Sequence, residues 1–502
     1  MISYTHLLLI GFLALILLVW RGCSKKTLSF PPGPPAYPII GHLHCMPSRD
    51  QEEIFCQWAQ KYGDVIHLRV PGRSIVVLNS DKAATDLLEK RGSIYSCRPQ
   101  FTVLSIMGWG QTLAFLPYGK RFLRHRKIIS QPLGRHESTR CHPSQLKEAR
   151  VLLRTFMQKP GGGYEAALHR FATGVVVHMS FGHKITSDND LYLRLARDST
   201  FATDNSGTPG NTVIDLLPTL QYFPDWFPGT YYAGWARSWN PTVKKIHDHP
   251  YETIMSERAE GKSNISIVGR EIEKMLQDGN GAEDAERVSD IKGSGAILFA
   301  AGVDSVSATL TLFLLLMLLH PDCQRKAQEE IDLVLKGERL PNFYDRTALP
   351  YVGALVQEIL RWHPTVPLGL PHRLLEDDVY RGMFIPKGSI VFANARGVSL
   401  DENVYHDPHR FHPERFLPGP AGLGEPFLNA AFGYGRRECP GRHVAETSLW
   451  IAVVSILAVF SIESTVPPKM EFSVGLAHRP VQFECTFRDR LRRGQELILD
   501  DE

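Results

Sequence analysis

Residues 432–441 read Phe-Gly-Tyr-Gly-Arg-Arg-Glu-Cys-Pro-Gly, a run in which glycine and proline surround a single cysteine. Glycine turns leave backbone N–H groups open, and such groups stabilise a thiolate and let the chain approach a flat ligand closely. The alternative is a glycine-rich loop around a structural cysteine, since most free cysteines are buried and inert. The run therefore nominates Cys439 as a candidate metal ligand.

Two further motifs precede this run. Glu358 and Arg361 stand three residues apart, a spacing that puts an acid and a base on one face of a helix. Such pairs also decorate exposed helices, so the spacing alone says little. A Pro-Glu-Arg-Phe element at residues 413–416 lies between this pair and the cysteine run.

In this order the motifs resemble the signatures of the cytochrome P-450 superfamily. The cysteine run matches the family pattern at five positions, which are Phe432, Gly435, Arg437, Cys439 and Gly441. The resemblance implies a haem b whose iron takes the Cys439 thiolate as its axial ligand. It also implies that Arg437 donates to a haem propionate and that Phe432 covers the sulfur.

The resemblance gives the upstream motifs a structural role. Glu358, Arg361 and Arg415 would form the buried triad that locks the loops beneath the haem. Buried charges need partners, so loss of one member is expected to be severe. Their role would be folding and haem retention.

Residues 301–305, Ala-Gly-Val-Asp-Ser, resemble the oxygen-binding groove of the family's long central helix. Gly302 would leave a gap for O₂ beside Ala301, and Asp304 and Ser305 would be the catalytic pair that relays protons. The family usually has threonine at position 305. Serine keeps the hydroxyl with fewer side-chain restraints, so the tightness of coupling between oxygen activation and product formation stays open.

Two more haem contacts follow from the same resemblance. The segment from Tyr118 to Arg126 is similar to the family's W-x-x-x-R helix, with Phe122 where tryptophan is usual, so Arg126 would keep the charge without the indole donor. His372 matches a common propionate donor, and Arg373 is the alternative.

The amino terminus predicts a membrane anchor. Residues 7–20 are all apolar or glycine, and the stretch 1–20 has nearly the length that spans a bilayer as a helix. A cleavable signal peptide would carry positive charge before the apolar run, whereas here the charges follow it as Arg21, Lys25 and Lys26.

We therefore expect a transmembrane anchor at 1–20, a basic and proline-rich linker at 21–36, and a haem domain at 37–502. Because positive flanks stay cytoplasmic, the catalytic domain is expected in the cytosol, on a single-pass protein of the endoplasmic reticulum membrane.

Composition narrows the partners. The net charge of +3 over 502 residues gives no reason to expect nucleic-acid binding. The eight cysteines form no C-x-x-C pair, which argues against a disulfide framework or a zinc module. No G-x-G-x-x-G dinucleotide motif occurs, so electrons must come from another protein, an NADPH–cytochrome P-450 reductase by the resemblance.

Hydrophobic periodicity predicts a mainly helical fold with a small β component. A hairpin is expected at 65–78, turning at Pro71-Gly72. The clearest predicted helices are Asp81–Lys90, Ser144–Met157, Ile297–Leu319 (interrupted at 302–305), Pro321–Leu335 and Val352–Trp362. The aromatic segment Phe223–Trp239 could be either a satellite of the core or a contact with the lipid interface.

The function implied is a monooxygenase that inserts one atom of O₂ into a lipophilic small molecule. Substrate contacts are expected from five regions, which are residues near 101–116, residues 205–235, the helix around Phe299 and Val303, Val366–Leu370, and Val474–Ala477. A docking face for an acidic reductase is expected from basic residues, namely Arg121, Arg124, Lys127 and Arg436.

Details such as Phe-Pro-Asp-Trp-Phe-Pro-Gly at 223–229 resemble fungal enzymes that tailor natural products, such as terpenoids. Two alternatives stay open. One is a haem-thiolate isomerase or dehydratase, although Asp304 and Ser305 retain the relay that such enzymes tend to lose. The other is a non-catalytic haem-binding sensor.

Overall fold

The structure is a computed structural model that describes residues 28–207, 210, 212–278, 284–491 and 496–498. The predicted anchor at 1–20 lies outside the described residues, as does the first part of the linker. The described residues form the folded body of the protein.

The body is mainly helical, as expected. Its α-helices, in chain order, are α1 Gln51–Tyr62, α2 Asp81–Ala84, α3 Gly92–Tyr95, α4 Thr102–Met107, α5 Lys120–Ser130, α6 His142–Gln158, α7 Tyr164–Phe181, α8 Leu191–Asp204, α9 Val213–Leu216, α10 Tyr231–Ala259, α11 Ile267–Gln277, α12 Ala285–Leu319, α13 Pro321–Leu335, α14 Pro350–Trp362, α15 Ala395–Ser399 and α16 Arg442–Val459. Short 3₁₀ turns include those at Pro413–Phe416, Asn429–Phe432 and Gly435–Arg437.

The strands are β1 Val65–Val70, β2 Arg73–Leu78, β3 His372–Arg373, β4 Asp378–Tyr380, β5 Met383–Ile385, β6 Ile390–Ala393, β7 Phe460–Glu463 and β8 Thr486–Asp489. One sheet has the order β1-β2-β6-β3, in which β2 and β6 are parallel and the other pairs antiparallel. Alternate residues of β1 and β2 enter two different apolar clusters, so both faces of the sheet are covered.

Helix α12 is the centre of the fold. It packs against α7, α5, α10, α11 and α16, and its middle and last turns are almost entirely apolar. The Asp284 side chain caps its first turn by accepting a hydrogen bond from the Arg287 amide. Among the described residues, α12 and α16 are long and apolar enough to cross a membrane. Their apolar windows are 72% and 78% buried inside the protein, so both are core helices.

Most predicted elements lie where periodicity puts them. The hairpin at 65–78 is present, with Val70 opposite Arg73 across the turn. Residues 81–90 are helical, but the second part, Thr85–Lys90, is a π-helix. The central helix begins at Ala285 and not at Ile297. Its first turns were missed because they carry charged residues, which do not belong to the apolar run from which the helix was predicted. It also continues without a break through 302–305.

Candidate functional site

The cysteine loop lies between two 3₁₀ turns and the start of α16. The Cys439 amide donates a hydrogen bond of 2.7 Å to the Phe432 carbonyl, which closes the loop. Gly435 has φ +54°, and a Cβ there would lie 2.8 Å from backbone atoms of Leu88 and Glu89. A side chain at this position is therefore excluded, and the glycine holds the loop against the π-helix at 85–90.

The Cys439 side chain is accessible to a solvent probe. It nevertheless lies deep in the protein, where burial raises the pKa of its thiol while the Gly441 amide and the Arg126 charge lower it. Ala301 is likewise exposed, in the middle of a helix whose neighbouring turns are buried. Accessible side chains deep within a fold line an internal cavity, which is the setting that an iron ligand requires. Cover of the sulfur by the Phe432 ring stays a prediction.

Three buried or half-buried arginines gather near this loop. Arg437 donates to the carbonyls of three residues, Ser96, Leu113 and Leu116. Arg126 donates to the Glu438 carbonyl at 2.5 Å. Arg98 donates to the carbonyls of Ala114, Leu370 and Pro371.

The electrostatics of this cluster indicate an anionic ligand. Burial lowers the pKa of Arg437 to about 10, and burial together with the Arg437 charge lowers that of Arg98. Within the described part of the chain, no carboxylate forms an ion pair with Arg98, Arg126 or Arg437. Buried cations without a carboxylate partner are costly, and the two propionates of a haem would supply the missing charge. Arg98, Arg126 and Arg437 therefore fit the two propionates of a haem.

His372 is fully buried and uses its Nδ1 to bond the Tyr95 carbonyl at 2.8 Å. Burial, followed by the charge of Arg98, lowers the pKa of this histidine well below its usual value, so the imidazole is neutral. It lies beside the arginine cluster, where the resemblance puts a propionate donor.

Phe122 explains how the chain manages without the usual tryptophan. The Arg437 guanidinium carbon lies 3.8 Å from the Phe122 ring centroid. The Phe122 ring thus makes a cation–π contact with Arg437, and the N–H donor that an indole ring would add is absent.

The structure brings Glu358, Arg361 and Arg415 together, all three with no exposed surface. Arg361 bonds both carboxylate oxygens of Glu358, at 2.7 and 2.8 Å, and the Nε of Arg415 lies 3.1 Å from Glu358 Oε2. The remaining donors reach carbonyls between Ser399 and Arg410. The sequence reasoning missed a fourth member, Glu425, whose carboxylate accepts from Arg415 at 2.6 Å.

The contacts of the groove residues are defined, and their role in oxygen activation stays a prediction. A Cβ on Gly302 would lie 2.9 Å from Val176, so this glycine permits close packing of α12 on α7. The Ser305 hydroxyl donates to the Ala301 carbonyl at 2.8 Å. Asp304 accepts hydrogen bonds from Thr200 and Arg479, a partner that the sequence reasoning missed.

Half of the expected docking face is engaged within the chain. Arg121 and Arg124 both pair with Asp290 of α12, at 2.7 and 2.6 Å, and Arg124 also pairs with Glu286. Acids of a helix more than 160 residues along the chain thus pair with both arginines, and docking of a reductase at this face stays a prediction. Lys127 is exposed, and the exposed Arg436 rests on the Tyr118 ring.

The aromatic segment 223–239 divides in two. Trp235 and Trp239 pack against the core beside Phe201. Trp226 is 80% exposed and Tyr231 67% exposed, just before and at the start of α10. The first half of the segment is therefore exposed, and the second half belongs to the core.

Comparisons with known proteins agree with this geometry. The Cytochrome P-450 family model matches residues 31–487. A cytochrome P-450 monooxygenase of Armillaria gallica is 35% identical over 97% of this chain and 98% of its own length. Cytochrome P-450 monooxygenase 98 of Postia placenta is 37% identical over 99% of this chain and 98% of its own length. Tryptamine 4-monooxygenase of Psilocybe cyanescens is 33% identical over 96% of this chain and 98% of its own length.

Proposed function

The chain belongs to the cytochrome P-450 family and is a haem-thiolate monooxygenase, and we propose that it oxidises a lipophilic small molecule in secondary metabolism. The observation that carries the site assignment is the accessible Cys439 thiol beside three arginines without carboxylate partners. The isomerase and sensor alternatives gain no support, since these relatives are named monooxygenases.

In the proposed mechanism, haem b supplies reductive activation of O₂ when it is bound. Cys439 would hold the iron as a thiolate, and Arg98, Arg126, Arg437 and neutral His372 would hold the propionates. The Cys439 thiol lies deep in the protein, where burial raises its pKa, and this depth limits its contact with bulk water. Asp304 and Ser305 move protons along α12 toward the oxygen-binding groove.

The substrate is proposed to be apolar or weakly polar and to belong to the natural products of fungi. A cleft is lined by residues 366–369 and 474–476, two of the expected contact regions, together with the polar segment 48–52. One relative is named for a tryptamine, so small indole amines join terpenoids in the set worth testing.

Incubation with a reductase, NADPH and such a panel, followed by mass spectrometry, tests this proposal. We expect one compound or compound class to gain a single oxygen atom. A haem-loaded protein that consumes no NADPH above background with any compound would contradict the proposed oxidation of a lipophilic small molecule.

Replacing Asp304 with asparagine is expected to slow product formation on the order of 10²-fold, the usual range for loss of a proton-transfer group. Haem content should stay unchanged, because Asp304 contacts Thr200 and Arg479 and no residue of the cysteine loop. Product formation per haem, measured with the same reductase, checks this. Turnover equal to that of the parent protein would remove Asp304 from the relay.

The electron donor is proposed to be an NADPH–cytochrome P-450 reductase that docks on exposed basic residues around α5, chiefly Lys127 and Arg436. Lys127→Glu is expected to lower reductase-supported turnover by about two- to tenfold at low salt, since rim charges mainly govern association. Peroxide-supported turnover should not change. Lys61→Glu, at an exposed position on α1, is the matched control. Equal loss of both activities in Lys127→Glu would contradict docking at this face.

The body is further proposed to rest on the membrane that the amino-terminal anchor crosses. Support comes from exposed apolar side chains next to α9 and α10, which are Val213, Leu217, Tyr222, Trp226 and Tyr231. In vesicles that contain brominated lipid, Trp226→Phe is expected to remove quenchable fluorescence. Trp450→Phe, at a fully buried position, should remove only unquenched emission. Identical quenching in the parent protein and Trp226→Phe would contradict this contact.

A further inference from the structure

One guanidinium lies between two carboxylates that come from different helices. Arg479 donates from Nη2 to the Asp304 carboxylate on α12. Its Nε lies 3.5 Å from Oδ2 of Asp204, the last residue of α8. Arg479 is thus the link between the proposed relay acid and a second acid that the mechanism above does not use.

Asp204 is poorly compensated. Its Oδ1 is buried and has no hydrogen-bond partner, and the Arg479 Nε is buried without one as well. The chain comes very close at Gly475, where a Cβ would lie 3.3 Å from the Asp204 Cα and carbonyl oxygen. Two carboxylates share one cation, so one negative charge is left over, on side chains that are only 16% and 18% exposed.

The charged groups around Asp204 and Arg479 make the ionisation of Asp204 depend on pH near neutrality. Burial, followed by the charge of Asp304, raises the pKa of Asp204 to about 7, while Arg479 opposes the shift. Further charged or titratable groups near Arg479 are Glu165 and His169 on α7 and Arg197 on α8. Burial lowers the pKa of His169 to about 4, so this histidine is neutral near pH 7 and leaves the carboxylates in control.

We propose that Asp204 is a positioning residue that acts through Arg479 to set how firmly Asp304 is held, and so whether Asp304 is free to pass protons. This inference rests on the proposed relay role of Asp304. Asp204 itself does not touch the reacting atoms.

The sign follows from the charges. Below about pH 7, Asp204 is neutral, and the whole charge of Arg479 binds Asp304 as a locked carboxylate. Above that pH, Asp204 is ionised and competes for Arg479, so the hold on Asp304 weakens and its side chain is released to exchange protons. The fraction of NADPH consumption that ends in product should therefore rise with pH through this range.

Asp204→Asn removes the competing charge and keeps the shape. Its coupling of NADPH to product, with the compound found in the panel, should stay at the parent's low value at every pH. The ionised fraction of one group rises about tenfold between one pH unit below and one above its pKa, which bounds the expected difference at high pH. Asp198→Asn, at an exposed position on the same helix, is the control and should follow the parent protein.

A second measurement does not depend on activity. Infrared difference spectra of the resting ferric protein should show protonated carboxyl absorption that titrates near pH 7 in the parent. The part from Asp204 should be missing in Asp204→Asn, while the part from Glu52, whose pKa is also raised to about 7, should remain. If Asp204→Asn does not fold, Asp204→Glu serves, because its longer side chain should move the midpoints of the band and of the coupling profile together. A profile in Asp204→Asn that rises as in the parent, or midpoints in Asp204→Glu that do not move, would overturn the proposal.

The Asp304→Asn variant separates this inference from the relay itself. If Asp304→Asn is impaired and Asp204→Asn behaves as the parent, control through Arg479 is wrong and the relay stands. If Asp304→Asn is fully active, the relay is wrong and control through Arg479 falls with it.

Discussion

Replacing Glu358 with glutamine is expected to leave little or no haem-loaded protein. Glu358 is fully buried and faces two fully buried arginines, Arg361 and Arg415. Loss of its charge removes the carboxylate partner of Arg361 and leaves Arg415 with Glu425 alone, and breaking a buried ion pair in this way costs about 3–5 kcal/mol. That is a large part of the roughly 5–15 kcal/mol by which a native protein is stable.

The damage should extend beyond stability, because the same residues fasten the chain beneath the cysteine loop. Arg361 and Arg415 bond carbonyls between Ser399 and Arg410, and Glu358 accepts from the His412 amide at 2.8 Å. The yield of haem-loaded protein and the denaturant midpoint measure the effect. Glu329→Gln, which breaks the exposed pair with Arg325, should cost less than about 1 kcal/mol. A Glu358→Gln protein with normal haem content and stability would contradict the structural role.

The second large effect is expected from Cys439→Ser. Serine keeps the size of the side chain but offers a hydroxyl that stays protonated at neutral pH. The iron therefore loses the thiolate ligand that promotes cleavage of the O–O bond. Monooxygenase turnover should fall below detection, and the thiolate-type absorption of the reduced carbon monoxide complex should vanish. The fold should persist, since the loop is closed by backbone hydrogen bonds that serine preserves.

Cys45→Ser is the matched control. This cysteine is half-buried and donates only to the His42 carbonyl, at 3.3 Å. We expect an unchanged spectrum and unchanged turnover. If Cys45→Ser lost the thiolate signature while Cys439→Ser retained it, the ligand would have been assigned to the wrong cysteine.

Local patterns identified the parts of the site that lie on short stretches of chain. Cys439 stands in a run whose glycines adopt backbone conformations that the loop requires. Glu358 and Arg361 are three residues apart on one helix. Arg415 was found because its Pro-Glu-Arg-Phe surroundings are distinctive. The helices and the hairpin at 65–78 followed from periodicity, which reports the burial of one face.

The remaining residues could not be found in this way, because their roles depend on partners far along the chain. Arg98 is a single arginine in a loop, and only its burial beside Arg437 marks it. Glu425 and Arg479 are equally ordinary in the sequence. The acids that pair with Arg121 and Arg124 were missed for the same reason, since they belong to the charged first turns of α12, which periodicity also missed.

The central claim is that the Cys439 thiolate binds the haem iron, and the carbon monoxide difference spectrum of the reduced protein tests it most directly. We predict the long-wavelength Soret band of a thiolate-ligated haem in the parent protein and its loss in Cys439→Ser. A parent spectrum typical of histidine ligation, or a long-wavelength band that survives in Cys439→Ser, would contradict the assignment.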